Sequence, residues 1–178
     1  MRQLGIPGVE HHALEAHSDE RGTLRELWRA SVRPLRIRQV LVTSSAPRAL
    51  RGMHYHLRQS DLCYVSAGAV FMALVDLRRP DHRSGALWLG QGESVLIPPG
   101  VAHGYTTEQG ATVMYLLTEE VDGSDEFGFR FDDPAAAIQW PVDDPRLSAR
   151  DREAGAMARA VAHVRAQRGL GPMDPVRP

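Results

Sequence analysis

The stretch Arg51-Gly52-Met53-His54-Tyr55-His56, followed by Asp61 and Gly68, decides how the rest of the chain is read. It sits among segments rich in β-formers. In a strand, residues i and i+2 point to one face. His54 and His56 therefore face the same way, into the interior of a β-structure. Two imidazoles on one inner face suit acid–base chemistry or metal binding. The plainer alternative is a pair of hydrogen-bonded structural histidines.

Downstream of this stretch, Leu62 to Val65 reads as a strand and Ala67-Gly68 as a turn. Val70 to Leu77 reads as a second strand, apolar on both faces and so expected to be deeply buried. Arg78 to Gly85, with Pro80, reads as a hairpin loop. Ala86 to Leu89 and Ser94 to Ile97 are short strands, and Pro98-Pro99-Gly100 is a tight turn. Gly104 to Thr106 and Ala111 to Thr118 are further strands.

Upstream, residues 1 to 17 read as an edge strand and its lead-in, with His11 and His12 facing solvent. Asp19-Glu20-Arg21-Gly22 reads as a turn and Thr23 to Arg29 as a short strand. Ile37 to Thr43 alternates, and Ser44 to Ala49, with Pro47, reads as a loop. Short strands at this spacing, divided by Gly and Pro, predict an all-β sandwich or barrel.

The tail changes period. Trp140-Pro141 closes the β region, and Ser148 followed by Asp151 resembles a capping box. Met157, Val161 and Val164 recur at helical spacing, and Gly169 is a stop signal. One helix over about 148–168 is predicted, with a frayed end carrying Pro172, Pro175 and Pro178. No repeat or linker divides the chain, so residues 1–178 read as a single domain with a β core over about 19–145.

Composition narrows the function. A chain of 178 residues supports one real core, and a net charge of -1 argues against nucleic acid as a partner. The single cysteine, Cys63, excludes an internal disulfide and a cysteine-rich zinc module, and is expected to be buried. No segment reads as a signal peptide or a membrane span, so a soluble cytoplasmic protein with no membrane partner is expected. The sequence contains no lysine, which rules out Schiff-base catalysis; its arginines suit carboxylate and phosphate contacts.

Two segments pair. His54-x-His56, Asp61 and Gly68 form one; Gly92, Pro98-x-Gly100 and His103 form the other. Together they resemble the two motifs of the cupin superfamily, with Asp61 where glutamate is usual and Thr107 where asparagine often ends the second motif. The resemblance implies a cupin jelly-roll barrel with a C-terminal helix, and ligands on facing strands inside it.

A closer resemblance runs from Asp19 to about Asp151. Its segments are Asp19-Glu20-Arg21-Gly22, Ile37-Arg38-Gln39-Val40, Leu50-Arg51-Gly52-Met53-His54-Tyr55, Val75-Asp76-Leu77-Arg78, Ile97-Pro98-Pro99-Gly100-Val101-Ala102-His103-Gly104, Val113-Met114-Tyr115-Leu116 and Leu147-Ser148-Ala149-Arg150-Asp151. This is similar to the dTDP-4-dehydrorhamnose 3,5-epimerase family. The resemblance implies a homodimer acting on 4-keto-6-deoxy sugars linked to a nucleotide diphosphate. It implies that His54 is the base that removes the proton next to the ketone and Asp151 the carboxylate paired with it. Tyr115 would be the acid on the opposite face and His103 the histidine near the enolate. Arg51 would hold the pyrophosphate and Arg21 the nucleotide side, with Gln39 and Glu26 also substrate-binding. No cofactor is required by that chemistry.

Physical reasoning agrees with these roles. A proton α to a ketone needs a positioned base near neutrality, and a carboxylate-oriented imidazole fits. The enolate oxygen needs electrophilic help. Plainer readings stand beside them: Asp151 as the capping partner of Ser148, Tyr115 as a core tyrosine, Arg51 as a surface charge.

The chain also departs from the family. The family's active-site lysine falls at Asp61, and its usual glutamine after His-Tyr is His56. Those two changes complete a cupin metal set of His54, His56, Asp61 and His103, suited to zinc, iron, nickel or manganese. Such a metal would take over the polarisation of the ketone, and the metal and base readings then compete for His54. A family tyrosine is Val121 here and a family aromatic is Leu24, which puts thymidine recognition in question. The leading expectation is an epimerase of a nucleotide-linked 4-keto-6-deoxy sugar. The alternatives are a metal-dependent cupin dioxygenase or isomerase on a small carbonyl compound, and a non-catalytic sugar-binding cupin.

Overall fold

The computed structural model describes residues 4–79 and 81–169. Pro80 and the expected frayed end with Pro172, Pro175 and Pro178 lie outside the described residues. The strands are β1 (Glu10–Ala13), β2 (His17–Asp19), β3 (Gly22–Leu24), β4 (Gln39–Ser45), β5 (Leu50–Tyr55), β6 (Asp61–Asp76), β7 (Ser84–Gly90), β8 (Glu93–Ile97), β9 (Val101–Thr106), β10 (Ala111–Leu117) and β11 (Phe127–Gly128). Two helices follow, α1 (Ala149–Arg152) and α2 (Met157–Gln167).

β6 joins two sheets. Its first half pairs antiparallel with β8 and β10, which in turn carry β1 and β4 at the edges. Its second half pairs with β7 and β9, and β9 continues to β5 and β11. This is the expected jelly roll. The expected turn at Ala67-Gly68 is absent, because the chain runs through it as one 16-residue strand. Gly68 takes φ +77°, and the register shifts opposite it between Thr112 and Val113. A bulge of this kind bends a strand into the neighbouring sheet without reversing it.

The two halves of the alternation fill two layers. Met72 and Leu74 enter the barrel core with Val65, Val95, Tyr105 and Val113. Ala73, Val75 and Leu77 point the other way, under Met157, Ala160, Val161 and Val164 of α2. The doubly apolar run is therefore buried on both sides, as its composition predicts. Cys63 is free and buried.

Four local expectations need correcting. The strand predicted over Thr23 to Arg29 is confined to Gly22–Leu24, which pairs with β2 around the Glu20-Arg21 turn. Among the described residues that hairpin forms a separate two-stranded sheet with no third strand to extend it. His11 does not simply face solvent; its Nε2 lies 2.9 Å from a Glu93 carboxylate oxygen, across β1 and β8. Ser44 and Ser45, read as loop, complete β4. The single predicted helix is two, interrupted over 153–156, where Gly155 disfavours helix by about 1 kcal/mol. α2 restarts because the Asp133 carboxylate accepts from the Met157 amide at 2.8 Å, doing the work that Ala156 at the cap position cannot.

Candidate active site

β5 presents Met53 and Tyr55 to the layer under α2, so the alternate residues turn to the other face. There His54 and His56 open on a cleft with Asp61, His103, Tyr115 and Arg51. β9 brings His103 directly opposite His54, and β6 begins at Asp61. β10 sets Tyr115 against Cys63 of β6. Sequence-distant strands thus deliver six of the expected residues to one place.

Gly52 lets β5 and β9 approach closely enough for this. It has φ +136°, and a Cβ there would sit 2.5 Å from the Gly104 Cα. Only glycine accommodates both conditions.

His54 Nε2 lies 2.6 Å from Asp151 Oδ1. The Ser148 hydroxyl accepts from the Asp151 amide at 3.0 Å, so capping and pairing with His54 use different atoms of the same residue. Burial pushes the Asp151 carboxyl up, but the His54 hydrogen bond and charge outweigh it and hold it below its ordinary value. Burial pushes the Tyr115 hydroxyl well above its usual range, with Cys63 and Tyr105 adding to the effect. The Tyr115 hydroxyl therefore keeps its proton in neutral solution. Arg51 Nε donates to Ser45 Oγ at 3.1 Å, and that hydroxyl meets the Tyr105 hydroxyl at 2.8 Å.

His56, Asp61 and His103 form a tighter group, each buried, with ligand atoms all within 4.8 Å of one another. Burial pushes His56 down, yet the Asp61 hydrogen bond and charge and the Asp125 carbonyl win and raise it to about 9. Burial lowers His103 to about 4, with the neighbouring histidines assisting and Asp61 opposing. Asp61 is held below its ordinary value by the two histidines despite its burial. The predicted four-residue metal set is thus three in space. His54 is engaged with Asp151 and is not among the three residues whose ligand atoms come together.

Some expected residues lie elsewhere. Arg21 sits at the exposed tip of the β2–β3 hairpin, bonded to Asp19, and Glu26 pairs with Arg29; neither lines the cleft of this single chain. Gln39 stands beside it, its side-chain carbonyl accepting from the Val121 amide at 2.7 Å. Leu24 is 69 % exposed on β3.

Sequence reasoning missed Asp125, Gln59, Ser45 and Tyr105. Asp125 takes the Leu57, Arg58 and Gln59 amides on its carboxylate at 2.7, 3.0 and 3.1 Å, and His56 Nδ1 donates to its backbone carbonyl at 2.6 Å. These contacts span 66 to 69 positions, and no local pattern around Asp125 signals them.

Comparison with known proteins is consistent with this geometry. A family model described as dTDP-4-dehydrorhamnose 3,5-epimerase matches residues 3–159. The dTDP-4-dehydrorhamnose 3-epimerase of Streptomyces niveus is 33 % identical over 176 residues, covering 90 % of this chain and 84 % of that protein. The structure of the Mycobacterium tuberculosis rmlC epimerase superposes with a TM-score of 0.83 at 30 % identity, over 95 % of this chain and 92 % of the other. RmlC from Legionella pneumophila, solved in complex with dTDP-4-keto-L-rhamnose, gives a TM-score of 0.82 at 26 % identity, over 96 % of each chain.

Proposed function

The chain belongs to the dTDP-4-dehydrorhamnose 3,5-epimerase family, and we propose that it inverts a carbon next to the ketone of a nucleotide-linked 4-keto-6-deoxy sugar. His54 takes the proton α to the ketone. Asp151 orients the imidazole and stabilises the imidazolium that forms. Tyr115 returns a proton from the opposite face, which inverts the centre. His103 lies on the enolate side, and Arg51 reaches for the pyrophosphate, a contact that guanidinium geometry favours. Proton removal and return balance without a cofactor being consumed.

The observation that carries this reading is the 2.6 Å His54–Asp151 contact, in a cleft that also holds a protonated Tyr115. The expected homodimer belongs to the same proposal. It is supported by the separate β2–β3 hairpin carrying Arg21 and by the exposed Val40 and Val42 on edge strand β4, 53 % and 63 % accessible. A second copy would bring Arg21 and Glu26 to a cleft that they do not reach in one chain. Among the described residues no helix is long and apolar enough to cross a membrane, and we place the enzyme in the cytoplasm, where nucleotide sugars are made.

The test is incubation with dTDP-4-keto-6-deoxyglucose in deuterium oxide, followed by mass spectrometry and proton NMR of the sugar. Deuterium entering next to the ketone, together with a new epimer, is the expected result. An unlabelled substrate after many enzyme equivalents and long incubation would overturn the reading.

A further inference from the structure

We propose that His56, Asp61 and His103 hold one divalent transition-metal ion at the floor of the cleft, beside the His54–Asp151 pair and independent of it. The spacing is the first ground. His56 Nε2 and His103 Nε2 lie 3.4 and 3.3 Å from the same oxygen, Asp61 Oδ2. Direct charge-assisted hydrogen bonds are shorter, about 2.7–2.9 Å. Two ligands each about 2.0–2.1 Å from a tetrahedral ion stand about 3.3–3.4 Å apart. The two edges that meet at Asp61 Oδ2 already have the lengths of such a polyhedron, and all three ligand atoms lie within 4.8 Å of one another.

The proton inventory is the second ground. His56 Nδ1 is 2.6 Å from the Asp125 carbonyl oxygen, which only accepts, so Nδ1 carries the hydrogen. The Nδ1 contact fixes the ring so that Nε2 points at the Asp61 carboxylate. A metal-bound histidine commonly has its other nitrogen on a backbone carbonyl in this way.

The carboxylate is similarly prepared. Gln59 Nε2 donates to Asp61 Oδ1 at 2.7 Å, which leaves Oδ2 to the two imidazoles. His103 is 5 % exposed, its Nδ1 has no hydrogen-bond partner, and its Nε2 is aimed at Oδ2. Its polar engagement is thus directed into the group. Three protein ligands with the cleft on the open side leave a position for substrate, the pattern of a catalytic metal site and not of a closed structural one. The donor set of two imidazoles and one carboxylate suits zinc, iron, nickel or manganese.

With no lysine in the chain, Arg51 is the cleft's permanent cation, and it is committed through Nε to Ser45. A bound ion would supply Lewis-acid polarisation of the substrate ketone. That role rests on the proposed reaction; the binding itself does not.

The test uses the full, untagged chain, stripped with a chelator and dialysed. Zinc, manganese, nickel and, without oxygen, ferrous iron are titrated in separate calorimetric runs, and content is read by plasma mass spectrometry. Cobalt(II) absorbance reports the coordination geometry. The expected result is one ion per chain for at least one metal, together with a raised melting temperature of the wild-type protein. Asp61→Asn and His56→Gln should each weaken binding beyond the ~10–100-fold typical of losing an outer partner, while His54→Asn binds as the wild type does. Three results would overturn the proposal. One is no stoichiometric binding of any of the four metals and no shift in melting. Another is binding that survives both Asp61→Asn and His56→Gln. The third is loss of binding in a folded His54→Asn protein. Because each readout is independent of turnover, failure of the epimerase reading would leave it standing.

Discussion

Asp151, in the single turn of α1, places its carboxylate 2.6 Å from His54 Nε2 in β5, across 97 positions of chain. The turn is pinned by Ser148, so the cap that starts the helix also aims the carboxylate. A short helix is marginal alone. Here its one buried residue is Asp151, and its value lies in where that side chain points.

Asp151→Asn tests this aim with little steric change. The Ser148 hydroxyl still accepts from the residue 151 amide, so the cap survives. The turnover number for the keto-sugar nucleotide is expected to fall by about 10²–10⁴, the worth of a positioned acid–base group, with KM little changed. A decline of less than about threefold would remove Asp151 from the base pair.

Tyr115→Phe should separate the two halves of the reaction. The ring still packs on β10 between β4 and β6. Proton removal at His54 continues, so deuterium enters next to the ketone, but delivery to the opposite face is lost. We expect epimer formation to drop by about 10²–10⁴ while exchange with retained configuration persists. Equal loss of exchange and inversion would make Tyr115 part of the base and not the acid.

Acid should act through Asp151. Its carboxyl is held below the ordinary value of 3.8 in the folded state. The unfolded chain therefore binds the proton first, and the resulting stability is present above that value. It is lost as pH falls through the lower folded value. The stability gap between wild type and Asp151→Asn is expected to be full at pH 6 and to close as the medium is acidified below about 4, read by urea unfolding at each pH.

Asp125→Ala should loosen the loop that leads from His56 to Asp61. The substitution removes the acceptor of the Leu57, Arg58 and Gln59 amides. A loss of about 2–4 kcal/mol is expected, because hydrogen bonds to a charged group are worth roughly 1.5–3 kcal/mol each and exposed amides recover part through water. Urea unfolding checks it, and an unchanged midpoint would show the contacts to be idle.

The residues themselves determined much of this protein. Alternation along β5 put His54 and His56 on one face, and the doubly apolar Val70–Leu77 run announced a strand covered on both sides. Met157, Val161 and Val164 marked the buried face of α2. The segments resembling the epimerase family marked the candidate residues of the cleft, because each is a short motif of adjacent residues. Period-two and period-3.6 patterns are properties of neighbouring residues, and so they survive being read without a fold.

Only the tertiary structure decided how those residues are shared out. It drew His54 away to Asp151 and left His56, Asp61 and His103 as a group of three. It turned the expected Ala67-Gly68 reversal into a bend, because β10 stays paired with β6 through Ala67 and Gly68 and β7 takes over from Ala69. It supplied Asp125 and the Ser45–Tyr105 pair, and it kept Arg21 and Glu26 out of the single-chain cleft. Each of these depends on which strands become neighbours when two sheets close on one another. A contact between residues 60 to 97 positions apart is set by that closure and has no counterpart in the pattern of adjacent side chains.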